Sequence, residues 1–123
     1  MMEDEQQQQR REARERFLRT HVFHGLRDQN DGFDSPVIAY FTAGEFAVVL
    51  ERVRTLGLGI HGIEPWQNGD FYAVATPRRG TEGPRDPAWY LAAFARFQAE
   101  ADDLLYAASF DVPDELLDLD DAT

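Results

Sequence analysis

An α+β domain running strand–helix–strand–strand–helix–strand is predicted by three features of the chain. Its apolar positions switch between the two-residue alternation of strands and the three-to-four spacing of helices. Capping residues bracket both helical segments. Asn68-Gly69 marks a tight hairpin between the second and third strands.

The first strand is "VIAYF" (37–41), β-branched and aromatic, bounded by Pro36. Thr42 then stands as a helix cap with Glu45 three residues on, the spacing of a capping box. Phe46, Val49, Leu50, Val53 and Leu56 follow helical period, and Gly57 stops the helix. Residues 58–64 form the second strand and 70–76 the third. After the loop "PRRGTEGPRD", Asp86 caps a second helix with Pro87 at its first position. Tyr90, Leu91, Phe94 and Phe97 are its expected core face, and it ends near Asp102. "LLYAASF" (104–110) is the fourth strand.

This order is the split βαβ pattern of ferredoxin-like folds. Right-handed crossovers then interlock into a four-stranded antiparallel sheet of order 4-1-3-2, with both helices on one face. Residues 70–76 become a central strand and 58–64 an edge. Trp66 should face Phe71, Glu64 should face Ala73, and Ile63 should face Val74. Three regions follow: a helical segment and linker over 1–36, the ferredoxin-like domain over 37–110, and an acidic tail over 111–123. The N-terminal segment is helix-favouring but has no apolar face before Phe17 and Leu18. The tail is expected as one short turn of helix after Pro113 and then disorder. The sheet face away from the helices is largely apolar, so the N-terminal segment, a second copy or a partner is expected to cover it.

The formal charge of the 123-residue chain is -11. It is uneven: residues 111–123 hold six acids and no base. Nucleic acid would be repelled by this surface, whereas a basic protein would be drawn to it. Such charge also serves solubility alone. No apolar run reaches membrane-spanning length, and the N-terminus has no secretory apolar stretch. A chain without cysteine has neither a disulfide framework nor a thiol nucleophile. A cytoplasmic protein is expected.

No constellation reads as catalytic. His21 and His24 have a ligand-like spacing without an evident third ligand, so no metal is expected. His61 falls in a strand. Glu64 and Asp70 flank the hairpin and could form an acid–base pair, but carboxylates near turns are commonplace. Gly57, Gly59 and Gly62 precede no helix and are not a phosphate loop. Gly62 suggests a close approach across the sheet. A non-enzyme without a cofactor is the expectation. Trp66, beside the turn, reads either as core packing or as an interface anchor.

The path "EFAVVLERVRTLGLGIHGIEPWQNGDFYAV" and then "DPAWYLAAFARFQAEADDLLYAASFDVPDELL" resembles small acidic immunity proteins of bacterial toxin–immunity systems. Its layout is similar to that of the immunity protein of a tRNA-cleaving colicin, over about residues 37–117. The N-terminal 36 residues depart from that pattern. The resemblance implies a protein that neutralises one cognate toxin, setting carboxylates against a basic cleft. Candidate contacts, chosen for their chemistry, are Glu64, Trp66, Asp70, Glu82 and Asp86, in or beside two loops that could be presented together. Asp111, Asp114, Glu115 and Asp118 are a second candidate surface. Two other readings stay open: a small-molecule-binding regulatory or sensor domain, and a homodimeric scaffold joined through the second sheet face.

Overall fold

The computed structural model describes residues 2–30, 32, 38–78 and 83–122, with side chains for 5–30, 32, 38–78 and 83–118. Its elements in chain order are α1 (Met2–His21), α2 (Ala43–Leu56), β1 (Gly59–Gln67), β2 (Asp70–Phe71), α3 (Pro87–Glu100), β3 (Leu104–Asp111) and α4 (Asp114–Ala122). The chain divides into two compact units: residues 26–111, and residues up to Gly25 together with those from Val112 onward. No described helix is long and apolar enough to cross a membrane.

The helices of the larger unit start and stop as their local chemistry dictates. Thr42 Oγ1 accepts the Glu45 N–H at 3.4 Å, and Gly57 closes α2 in the left-handed region at φ 73°. Asp86 accepts the Ala88 N–H at 3.0 Å, with Pro87 opening α3. Asn68 and Gly69 have φ of 53° and 83°, as a type I′ hairpin turn requires.

The sheet corrects the ferredoxin-like expectation. Among the described residues it has three strands in the order β2-β1-β3, all antiparallel, where four in the order 4-1-3-2 are predicted, and Val37 of the expected first strand lies outside the described residues. β1 is therefore central rather than an edge. It pairs with β3 from Gly59↔Asp111 to Gln67↔Leu104, with a register shift between Ile60 and Gly62. The residues after the turn lie at the edge instead of in the middle.

Two local causes prevent the fourth strand and shorten the third. Between Ile38 and Phe41 only Phe41 makes a bridge, to Tyr106. The preceding backbone groups are taken by a loop: Asp28 Oδ1 accepts the Tyr40 N–H at 2.9 Å, Asn30 Nδ2 donates to the Ile38 carbonyl at 2.9 Å, and Gln29 N–H donates to Tyr40 O at 2.7 Å. Side-chain bonding replaces the ladder there. At the other edge, Tyr72 N–H donates to Pro65 O at 3.0 Å, but Pro65 has no N–H to return the bond. The ladder lapses and resumes only at Ile63↔Ala75. Two residues lie between Ile63 and Trp66 while three lie between Phe71 and Ala75, so one extra residue bulges out. Ile63 thus meets Ala75, not Val74 as expected, and Val74 is 53% exposed.

Both helices pack on the face that carries Tyr106. Its ring stacks on Phe46 of α2 (centroids 5.2 Å apart) and meets Phe94 of α3 edge-on at 5.0 Å. Phe46, Val49, Leu50, Val53, Phe94 and Phe97 are buried as predicted. Leu91 is not: it is 43% exposed. The buried stripe of α3 runs through Trp89, Tyr90, Ala93, Phe94 and Phe97, and Leu91 lies about 100° beyond Tyr90, away from Trp89. Because β1 shifts register beside His61, Ile60 pairs with Phe110 and shares the face of Ile63, Pro65 and Tyr106. The opposite face carries Gly62, Glu64, Trp66, Leu105 and Ala107.

In the smaller unit α1 and α4 are in contact. The acidic end is helical where disorder is expected. Leu116 and Leu117 N–H both bond Pro113 O, Leu117 is buried, and Asp114 and Glu115 occupy the first turn, where carboxylates favour the helix dipole.

Candidate functional site: the acidic hairpin

Strand alternation places the candidate residues. Trp66 stands opposite Phe71 on β2 and Leu105 on β3, while Glu64 stands opposite Ala107. Residues 64 and 66 share a face, and so does the partner Phe71. The Trp66 ring meets Phe71 nearly perpendicular at 6.0 Å and lies 5.7 Å from the buried ring of Tyr40. Trp66 is half-buried: Tyr40 holds one side of it and Phe71 another. Phe71 itself is 54% exposed. The hairpin therefore presents an aromatic pair that is anchored on one side and open on the other.

Asp70 pairs with Gln67, three positions from Glu64, and so occupies the other face of the ribbon. Glu64 and Asp70 thus stand on opposite faces and form no acid–base pair. The hairpin is held at its base by two side-chain bonds. Gln67 Nε2 donates to Asp103 Oδ1 at 2.9 Å. The Tyr72 hydroxyl donates to Glu100 Oε1 at 2.9 Å, and that carboxylate holds the phenol above its usual pKa. The Tyr72 ring also meets Phe97 edge-on at 6.3 Å. These contacts fix the ribbon without using Glu64 or Asp70.

The other candidates are not gathered with the hairpin. Ile60 N–H bonds Pro84 O at 2.8 Å, which puts the loop before α3 at the start of β1. The turn lies at the end of β1, eight positions on, or roughly 26 Å along a strand. Asp86, exposed, belongs to that far loop and works as the cap of α3. The two loops are presented at opposite ends of the sheet. Glu82 lies outside the described residues. Asp111 pairs with Arg85 at 3.2 Å. Asp114 pairs with Arg10 at 2.7 Å, both side chains exposed, and Glu115 and Asp118 face solvent. Arginines thus offset part of the second candidate surface.

Among the described residues no group of three His, Cys, Asp or Glu side chains could hold a metal. His21 packs on the Phe17 ring at 4.5 Å, and His61 is exposed beside the β1 register shift. Gly62 is less crowded than expected: a Cβ there would find its nearest neighbour, Ala75 O, at an ordinary 3.5 Å.

Two features are not among the candidates that the sequence offers. The first is the exposure of Phe71, whose pairing with Trp66 the turn register does predict. The second is a cavity of about 310 Å³ lined by Ala75, Thr76, Arg78, Trp89, Ala92, Ala93 and Arg96. No local pattern links these residues; only the packing of α3 beside 75–78 assembles them. Trp89 is buried, with its ring edge-on to Tyr90 at 6.1 Å. Searches among protein-family models, curated proteins and solved structures find no match to the chain.

Proposed function

We propose that the protein is a non-catalytic inhibitor that binds a basic protein partner, a cognate bacterial toxin, through the β1–β2 hairpin. One observation carries this reading: an anchored aromatic pair, Trp66 and Phe71, opens to solvent on the face of Glu64, with Asp70 on the other face of the same hairpin, on a chain of charge -11. Aromatic anchors supply most of the energy of many interfaces, because they bury large area with little loss of side-chain freedom. The surrounding acids would steer a cationic cleft toward them. The hairpin backbone is fixed by Gln67–Asp103 and Tyr72–Glu100, so binding would order little that is not already ordered.

The test pairs this chain with the basic protein encoded beside its gene. Co-expression should relieve growth arrest by that neighbour. Phe71→Ala should raise the dissociation rate by about tenfold or more, the scale of a modest hot spot. Glu64→Arg with Asp70→Arg should slow association and weaken its dependence on salt. A neighbour that binds all these variants as tightly as wild type would remove the hairpin as the contact surface. Absence of any protection by co-expression would remove the inhibitor reading itself.

A further inference from the structure

We propose that Asn68 is a site of spontaneous deamidation at the tip of the hairpin, and that its isoaspartyl product undoes the pairing of Trp66 with Phe71. The chemistry needs a carboxamide, a following backbone nitrogen that no side chain shields, and freedom to bring the two together. Asn68 precedes Gly69, which has no Cβ. The Gly69 nitrogen attacks Asn68 Cγ. A Cγ–N bond forms, the bond from Cγ to Nδ2 breaks, and ammonia leaves with the Gly69 amide proton. Water then opens the cyclic imide and is the sole co-reactant. Attack at Cγ restores the ordinary backbone and leaves an aspartate. Attack at the former main-chain carbonyl routes the backbone through the side chain as an isoaspartate, longer by a single atom.

The structure supplies the freedom. Asn68 is exposed, and its side chain is bonded to no described residue. The side-chain ties of the hairpin, Gln67–Asp103 and Tyr72–Glu100, flank residues 68–71 and leave them out. β2 adds two pairs, Gln67↔Asp70 and Trp66↔Phe71, before the ladder lapses. The folded turn, with φ of 53° and 83°, must loosen for the nitrogen to reach Cγ, and a short end stretch is where local opening costs least. The chain's other asparagine has the opposite setting. Asn30 Nδ2 donates to Ile38 O at 2.9 Å, and its Oδ1 accepts the Gly32 N–H at 3.1 Å. The residue after it in sequence, Asp31, carries a side chain. A carboxamide bonded at both atoms is not free to turn back on its own backbone.

The two products differ in consequence. An aspartate keeps the turn, because it tolerates positive φ as asparagine does. An isoaspartate does not: a two-residue turn fixes the register of the strands it joins, and an added backbone atom breaks that fit. Trp66 and Phe71, the pair next to Gln67↔Asp70, then lose their alignment. The reaction belongs to this chain alone and is independent of the inhibitor reading.

For the test, the full-length protein is incubated in heavy-oxygen water at physiological temperature, folded and in urea, and sampled over weeks. Trypsin cleavage after Arg54 and Arg78 puts Asn68 on a different peptide from Asn30. The Asn68 peptide should exchange NH for heavy oxygen and elute as two forms, aspartyl and isoaspartyl, while Asn30 keeps its nitrogen. Folding should slow the exchange by less than about tenfold, as expected where opening is local. Gly69→Ala should slow it severalfold in urea, where the strain of alanine in the turn plays no part. In ¹H–¹⁵N spectra of the aged, folded protein, a second Trp66 indole signal, assigned with Trp66→Phe, should grow with the isoaspartyl fraction, whereas fresh Asn68→Asp shows a single one. The proposal is overturned if folding protects Asn68 by more than about tenfold, if Asn30 reacts as fast, if no isoaspartyl form appears, if Gly69→Ala reacts like wild type in urea, or if the Trp66 signal ignores the isoaspartyl fraction.

Discussion

Adding one methyl group to β1 should have opposite effects three residues apart. A Cβ at Gly59 would lie 3.1 Å from Arg85 Cγ, from Asp111 Cβ and from the Pro84 carbonyl carbon. Carbon atoms pack best at about 3.5–4.0 Å, so each contact is short by roughly half an ångström. Arg85 can swing aside, but Pro84 cannot: its carbonyl accepts the Ile60 N–H at 2.8 Å. Overpacking of this kind costs about 1–3 kcal/mol. Replacing glycine by alanine also restricts the unfolded chain, which offsets about 0.4–1 kcal/mol. Gly59→Ala should therefore destabilise by about 1–2 kcal/mol. At Gly62 the nearest contacts are 3.5, 3.7 and 3.9 Å, so only the favourable part applies. Gly62→Ala should be neutral or more stable by up to about 1 kcal/mol. Urea unfolding followed by circular dichroism measures both, with an unchanged slope confirming that the midpoints are comparable. A Gly59→Ala protein as stable as Gly62→Ala would show that the start of β1 is not pressed against the loop before α3.

Three other outcomes are expected. Phe94→Ala removes a ring that touches both Phe46 and Tyr106 and should cost about 3–5 kcal/mol in the same assay; a loss under about 1 kcal/mol would mean that α3 does not cover the sheet. Tyr90→Phe deletes a buried hydroxyl with no partner among the described residues, so stability should hold or rise by about 1 kcal/mol, and a clear loss would reveal a bond that the structure lacks. Burial pushes the Tyr106 phenol up to about 12 from an ordinary value of 10. Its neutral form is thus favoured in the folded state, and that contribution is complete below pH 10 and lost as pH rises from 10 through 12. Alkaline unfolding should be gentler over that interval in Tyr106→Phe than in wild type once both are normalised to their stability at pH 8.

The parts legible in the sequence are those decided within a few residues. Thr42 with Glu45, Asp86 with Pro87, and Asn68-Gly69 each do in the structure what their chemistry says. The strand order is not of that kind. The same strands and helices can interlock with residues 59–67 at the sheet edge or with the last strand paired beside them, and the choice rests on contacts across the whole domain. Asp28 and Asn30 occupy the backbone of 38–40, and Pro65 withholds a donor from Tyr72. Neither effect appears in apolar periodicity. Leu91 illustrates the same limit on a helix: its apolar character fits a core position, but the helix rolls toward Trp89. At the candidate site, the pairing of Trp66 with Phe71 could be read from the turn. The separation of Asp86 from the hairpin could not, because it depends on which end of β1 receives the loop before α3.

The proline in the middle strand also limits how far the sheet can spread. An open strand edge is a template on which further chains can stack, and long flat edges seed aggregates. Here the β2 edge is two residues long, because Pro65 cannot complete the next rung and the bulge turns Val74 outward. On the far side, Asp28 and Asn30 already occupy backbone groups that a newcomer would need. A chain that exposes Phe71 and Val74 thus keeps the neighbouring backbone from acting as a seed. Stickiness is confined to side chains, where it can be selective, and withheld from the main chain, where it would accept any strand.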